Sequence, residues 1–304
     1  MCSASAQQWL QSGSLWPALK TRNQLALNCG ALHPIATTYD WIEQGEVHFL
    51  VRVLANLQRK AEAKKAQKAK QSKGKAFNPF LPYEADLFVS DLSPTHVAIL
   101  NKFNVVDHHL LMITRAFESQ DHGLTLDDFV ALTLCLAEVE GLGFYNGGKD
   151  AGASQPHKHL QLVPFPLVPE LTQLPIAAAL AKAPPHAEGV TSPALPFRHR
   201  ITWLKDIDFS DPLAIAPTLH RRYLHLLHSL NLLTSEADPP AAYNLLVTRQ
   251  WMFVVPRSQE SHSKISVNSL GFAGALLVKT PTELEQLRQL GPMNLLKAVS
   301  FPQD

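Results

Sequence analysis

Residues 157–161, His-Lys-His-Leu-Gln, put two imidazoles and a carboxamide at alternate positions. On a strand, side chains at i, i+2 and i+4 share one face. His157, His159 and Gln161 then point one way. Lys158, Leu160 and Leu162 point the other, where the two leucines can anchor the strand in a core. Three chemistries fit this spacing. The rings can be structural, each satisfied by hydrogen bonds. They can bind zinc, although Gln161 is a weak neutral ligand and no Cys, Asp or Glu follows at close spacing. Or a neutral imidazole can act as a nucleophile at phosphorus. Attack there forms a phosphoramidate whose labile N–P bond passes the group onward. The second histidine would orient the first or donate to a phosphate oxygen, and Gln161 would donate an amide N–H to the same charge.

The segment before the motif, NGGKDAGASQP (146–156), is a Gly-rich turn. Gly147, Gly148 and Gly152 allow backbone N–H groups to approach an anion closely, and Ser154 and Gln155 add side-chain donors. A tight turn would read the same way. It is not a Walker A loop, because Gly148-Lys149 is followed by Asp150 and the next segment reads as strand rather than helix.

The elements that must position these groups are short. Val47–Leu54, Leu87–Val89, Ala98–Phe103, Leu110–Thr114, 157–165, Tyr243–Thr248, Trp251–Val255 and Ala275–Val278 read as strands. A helix is expected behind Thr125 as N-cap, with Asp128 at the third helical position and Gly141 as its stop. Leu213–Leu233 contains a second helix, and Thr282–Leu290 a third capped by Thr282. Residues 1–45 give no clear pattern, and residues 166–198, with seven prolines, read as a connection or seam. His108-His109 reads as a turn or strand edge. Trp251, Met252 and Phe253 read as core, and His220, His225 and His228 as solvated. This mixed order, with no βαβα alternation, predicts an α+β fold with a mainly antiparallel sheet and flanking helices.

Composition narrows the function classes. The 304 residues are 46% hydrophobic and 17% charged, enough for a sizeable core. Net charge is +1, but residues 59–75 hold eight Lys/Arg against one Glu, leaving the rest of the chain at −6. That distribution argues against a globally basic nucleic-acid binder. The Lys-rich run has no apolar stripe and reads as a mobile loop, with a basic flap over a polyanion as the alternative. Three cysteines, none in a CxxC pair, point to a reducing compartment. No secretory signal or membrane span is expected, so the chain reads as soluble and cytoplasmic.

Four segments, NKFNVV (101–106), YNGGKDAGASQPHKHLQLVP (145–164), YNLLVTRQWMFVVPRS (243–258) and NSLGFAGALLVK (268–279), resemble ATP adenylyltransferases, also called diadenosine tetraphosphate (Ap4A) phosphorylases. These belong to the histidine-triad superfamily, near the galactose-1-phosphate uridylyltransferase branch. The resemblance implies a histidine-triad-like fold and phosphorolysis of Ap4A to ATP and ADP, reversible, through an adenylyl-histidine. By that resemblance His159 is the nucleophile, His157 and Gln161 complete the catalytic set, and no protein-bound metal is implied. Asn101, Lys102, Asn146, Gly152, Ala153, Ser154, Gln155, Asn268, Ser269, Leu270, Ala275 and Lys279 fall at substrate-binding positions. Lys60 is the candidate for a basic phosphate contact after the first strand. Gln161 stands where the hydrolase branch has a third His, and Lys158 where the uridylyltransferase branch has Pro. Both departures favour the phosphorylase branch. Ala275 stands where some members carry Met. Mg²⁺ is expected with the polyphosphate, and the expected ligands are dinucleoside polyphosphates, ATP, ADP and phosphate. The chain is expected to form a single catalytic unit, 1–304. Residues up to about 165 carry the histidine motif and residues from about 195 complete the nucleotide site. The rivals are a nucleotide sensor without turnover and a metal-dependent dinucleotide hydrolase.

Overall fold

A computed structural model describes residues 9–55, 78–185, 188–233 and 238–303. The Lys-rich run and Lys60 lie outside the described residues. The described residues form thirteen strands in chain order. They are β1 (Thr37–Gln44), β2 (Val47–Leu54), β3 (Phe88–Asp91), β4 (His96–Leu100), β5 (Leu110–Thr114), β6 (Gly141–Gly147), β7 (His159–Pro164), β8 (Arg200–Trp203), β9 (Tyr243–Val247), β10 (Trp251–Pro256), β11 (Ser261–His262), β12 (Ile265–Ser266) and β13 (Ala275–Val278). The described helices are α1 (Leu15–Cys29), α2 (Leu126–Glu138), α3 (Ala177–Leu180), α4 (Pro212–Ser229), α5 (Ser269–Phe272), α6 (Pro281–Leu290) and α7 (Pro292–Ala298).

Eight strands form one antiparallel sheet, ordered β3-β4-β5-β7-β6-β9-β10-β8. This is the expected α+β architecture. The 166–198 segment does not divide it, because β9 from the C-terminal half pairs with β6 from the N-terminal half. A second sheet, β1-β2-β13, mixes the halves again through the parallel pairing of β13 with β2. Buried side chains of α1, α2 and α4 pack on one face of the large sheet, with Met112, Leu160, Leu162 and Leu245 pointing into that cluster. Each buried leucine there contributes roughly 1.5–3 kcal/mol. The other face carries two separate clusters. One contains Phe80, Val97, Ile99, Leu111 and Ile113, and the other Phe144, Val163, Leu246 and much of β2.

The helix behind Thr125 forms as expected, with a reciprocal capping box between Thr125 and Asp128. Three expectations need correction. Gly141 does not stop the helix, which ends at Glu138; it opens β6, a fully buried central strand. Its glycines serve close packing, since a Cβ on Gly141 would lie 2.5 Å from the Val163 carbonyl, and one on Gly143 2.5 Å from Leu132. The cap of α6 is Thr280, whose Oγ1 accepts from the Glu283 N–H, with Pro281 as first helical residue. His220 is not solvated; it is half-buried, bonds the Leu124 carbonyl and stacks on Tyr223. The unassigned first 45 residues contribute α1 and β1.

Candidate active site

Sheet register assembles the site. β7 lies between β5 and β6, with Ile113 opposite His159 and Leu111 and Phe144 opposite Gln161. The pairing of β6 with β7 ends at Phe144–Gln161. Two residues further, where Asn146 would face His159, the Gln120 side chain bridges the strands. Its Oε1 accepts from the His159 N–H at 2.8 Å and its Nε2 donates to the Asn146 carbonyl at 2.9 Å. His159, Gln161 and Asn146 therefore share the face on which the two smaller clusters sit.

His159 is 3% exposed. Its Nδ1 lies 2.8 Å from the His157 carbonyl, which can only accept, so Nδ1 carries the proton and Nε2 keeps its lone pair. No described residue bonds Nε2. Burial pushes the ring's pKa down to about 4, although the bond to the carbonyl favours the charged form. The imidazole is neutral at neutral pH. At pH 5.5 it remains mostly neutral, whereas an unperturbed ring would be mostly protonated. The rate of covalent labelling in a single turnover should therefore stay flat between pH 5.5 and 8 and fall only as the pH approaches 4. A half-maximal rate near pH 6.5 in that measurement would contradict this assignment.

His157 acts differently from the expectation. Its ring is fully buried, with Nε2 donating to the Thr114 carbonyl at 2.9 Å and Nδ1 accepting from Asn78 Nδ2 at 2.8 Å. The ring ties β5 to the segment at Asn78 and is not offered to a phosphate. It is the backbone carbonyl of His157 that orients His159. The commitment of three ring nitrogens also removes the zinc reading's ligand set, and no group of three or more His, Cys, Asp or Glu among the described residues could hold a metal.

Asn146 is buried, and its Oδ1 takes bonds from the Ser269 N–H at 2.9 Å, Ser269 Oγ at 2.8 Å and Asn244 Nδ2 at 2.9 Å. Arg257, itself buried, donates to Asn244 Oδ1 at 2.6 Å and to the Ala151 carbonyl at 3.2 Å. Since a guanidinium only donates, it sets the orientation of both amides. Asn146 Nδ2, which no described residue accepts from, is turned away from this network. The 148–152 turn is held by the same bonds. Gly152 has φ +88°, and a Cβ there would lie 2.8 Å from the Val267 carbonyl, so only glycine lets the turn seat against Asn268.

The remaining expected residues divide. Asn268 is the N-cap of α5, its Oδ1 accepting from the Leu270 N–H. Ser269 is wholly buried and fastens α5 to β6 through Asn146 and the Tyr145 carbonyl. Leu270 and Ala275 are half-buried in the adjoining apolar cluster. Gly152, Ala153 and Gln155 are half-buried and Ser154 exposed on the turn before β7. Three further residues have these surroundings in the chain without nucleotide. The Asn101 amide is engaged with His109 and the Phe103 N–H. The Lys102 amine pairs with Glu84 at 2.6 Å. Lys279 is exposed past the end of β13. His109, read as a turn or strand edge, is buried and bonds Gln161.

Gln120 and the hydrogen-bond network of Asn244 and Arg257 were not singled out by sequence reasoning, and His109 was read only as a turn or strand edge. Asn244 and Arg257 carried a signal, an amide inside the apolar run YNLLV and an arginine directly after WMFVVP. Gln120 and His109 carried none, since their partners are 39 and 52 residues away.

Residues 5–182 match the family model of the Ap4A phosphorylase N-terminal domain, and residues 193–302 that of the ATP adenylyltransferase C-terminal domain. The chain is 31% identical over 249 residues to diadenosine 5',5'''-P1,P4-tetraphosphate phosphorylase 2 of Saccharomyces cerevisiae, covering 72% of this chain and 74% of that protein. Its fold is similar to that of the yeast Ap4A phosphorylase Apa2 in complex with AMP, with a TM-score of 0.78 at 25% identity over 97% of this chain and 99% of the other. The complex of Apa2 with Ap4A gives 0.75 at 24% identity, over 97% and 100% of the two chains.

Proposed function

The chain belongs to the Ap4A phosphorylase and ATP adenylyltransferase family, and from that premise we propose that it phosphorolyses Ap4A to ATP and ADP, reversibly, by double displacement at His159. The observation that carries the reading is the neutral His159 ring, with its proton on Nδ1 and Nε2 open.

In the first step Nε2 attacks the phosphorus next to one adenosine. The N–P bond forms, the P–O bond to the rest of the polyphosphate breaks, and ATP departs. The ring becomes positively charged, and the His157 carbonyl bonded to Nδ1–H meets that charge. A phosphate oxygen then attacks the same phosphorus, the N–P bond breaks, and the AMP unit leaves as ADP. Charge on the transferring phosphoryl oxygens is met by the Gln161 and Asn146 amides and the backbone N–H groups of the 152–155 turn. A neutral carboxamide at position 161 is no general base for water, which favours phosphate as acceptor. Mg²⁺ would accompany the polyphosphate as part of the substrate, where it would supply charge neutralisation on the phosphates.

The cytoplasm is the compartment we assign. The three cysteines of the sequence, none in a CxxC pair, suit a reducing compartment.

The experiment is product identity. With Ap4A and phosphate, ATP and ADP are expected in equal amounts, and without phosphate only a single turnover of ATP. Continuous release of ATP and AMP without phosphate would make the protein a hydrolase. Tight binding of Ap4A with no product would make it a sensor.

A further inference from the structure

Gln161 lies two residues from His159 on the same strand face, about 6.6 Å along the backbone. Its carboxamide can turn either nitrogen or oxygen toward a phosphoryl group, and only the nitrogen donates. A chain of neighbours decides between them. The Phe103 backbone N–H, which can only donate, lies 3.2 Å from Asn101 Oδ1. The other end of that amide is then Nδ2, a donor, 3.2 Å from His109 Nδ1. Nδ1 must accept, so the ring proton of His109 is on Nε2, 2.9 Å from Gln161. The atom of Gln161 that meets it is Oε1. Its Nε2, with no acceptor among the described residues, is the end left to face the reacting group.

We propose that His109 is a positioning residue: with Asn101 behind it, it locks the Gln161 carboxamide so that its N–H, not its oxygen, meets the phosphoryl group during transfer. The inference rests on the phosphorolysis proposed above. His109 is 6% exposed and its ring packs against Phe144. Burial lowers its pKa to about 4, so the ring holds a single proton through the neutral range. Without that proton at Nε2 the carboxamide samples both orientations, and the wrong one sets oxygen against oxygen.

The test is a double-mutant cycle on kcat and KM. His109→Phe removes the donor while keeping a ring, and kcat is expected to fall roughly tenfold to hundredfold with KM changed less than about threefold. Gln161→Leu should cost at least as much. In the Gln161→Leu background, His109→Phe should cost less than about threefold. An unchanged kcat for His109→Phe, or a full loss repeated in the Gln161→Leu background, overturns the proposal. If His109→Phe fails to fold, Asn101→Ala carries the same cycle. Independently of turnover, nitrogen-15 NMR of the resting protein should place the His109 proton on Nε2, and a proton on Nδ1 overturns the proposal. Absence of Ap4A phosphorolysis in the unmodified protein, with the Nε2 proton in place, would instead overturn the proposed function.

Discussion

Replacing His159 with alanine is expected to reduce Ap4A phosphorolysis by about 10⁴-fold or more and to abolish covalent labelling by α-labelled substrate, while the protein remains folded. The magnitude follows from removing the nucleophile of a two-step displacement, which leaves only binding and electrostatic stabilisation of a direct attack by phosphate. The fold should tolerate the change. The described bonds lost with the ring are that to the His157 carbonyl and its contact with Phe80, while the backbone N–H still donates to Gln120. Circular dichroism and a melting curve separate a folding defect from a chemical one. Near-normal turnover in the alanine variant would mean that phosphate attacks Ap4A directly, and the role assigned to the open Nε2 would fall.

The second large effect concerns stability. Lys158, between the two histidines, turns to the opposite face and is 1% exposed. Its amine lies 2.6 Å from Glu118, 3.2 Å from Asp128 and 3.3 Å from the Gly123 carbonyl. Asp128 is fully buried, and also accepts from His96 Nε2 at 3.0 Å and from the Thr125 N–H at 2.7 Å. Lys158→Met should cost about 3–5 kcal/mol in urea unfolding, because a buried carboxylate loses its cation. Adding Asp128→Asn should recover part of that loss, since the charge left unpaired is then removed. A loss below about 0.5 kcal/mol, the ordinary range of surface changes, would show that the pair is dispensable. The pH dependence has a definite sign. Burial pushes the Asp128 carboxyl up, but the His96 hydrogen bond and the His96 and Lys158 charges outweigh it, and the net shift is downward. Its stabilising contribution is therefore present above the unfolded value near about 3.9 and disappears as the pH falls through the lower folded value.

The same cluster links stability to the site. Asp128 is at once the capping-box residue of α2 and the partner of Lys158. The helix cap and the catalytic strand thus share one carboxylate. The cap was legible because its partners lie three residues apart. The ion pair was not, because Lys158 and Asp128 are 30 residues apart.

Much else divides along that line. Leu110–Thr114 and Ala275–Val278 form strands with the bounds expected from their apolar runs. Gly141 reads locally as a helix stop, whereas it and Gly143 let β6 approach β7 and α2 closely, a requirement visible only once those neighbours are in place. Thr282 reads as a cap from its local sequence, but the helix begins at Pro281, which places Thr280 at the cap position.

Composition and local pattern determined the α+β class, the shared face of His157, His159 and Gln161, and the opposite placement of Lys158 and the two leucines. Those follow from the two-residue period of a strand, a property of the backbone alone. The tertiary structure decided which histidine nitrogen is free, which amides face it, and that His157 contributes its carbonyl rather than its ring. Each of those outcomes depends on where a proton resides, and the proton goes to whichever partner the folded chain brings within about 3 Å.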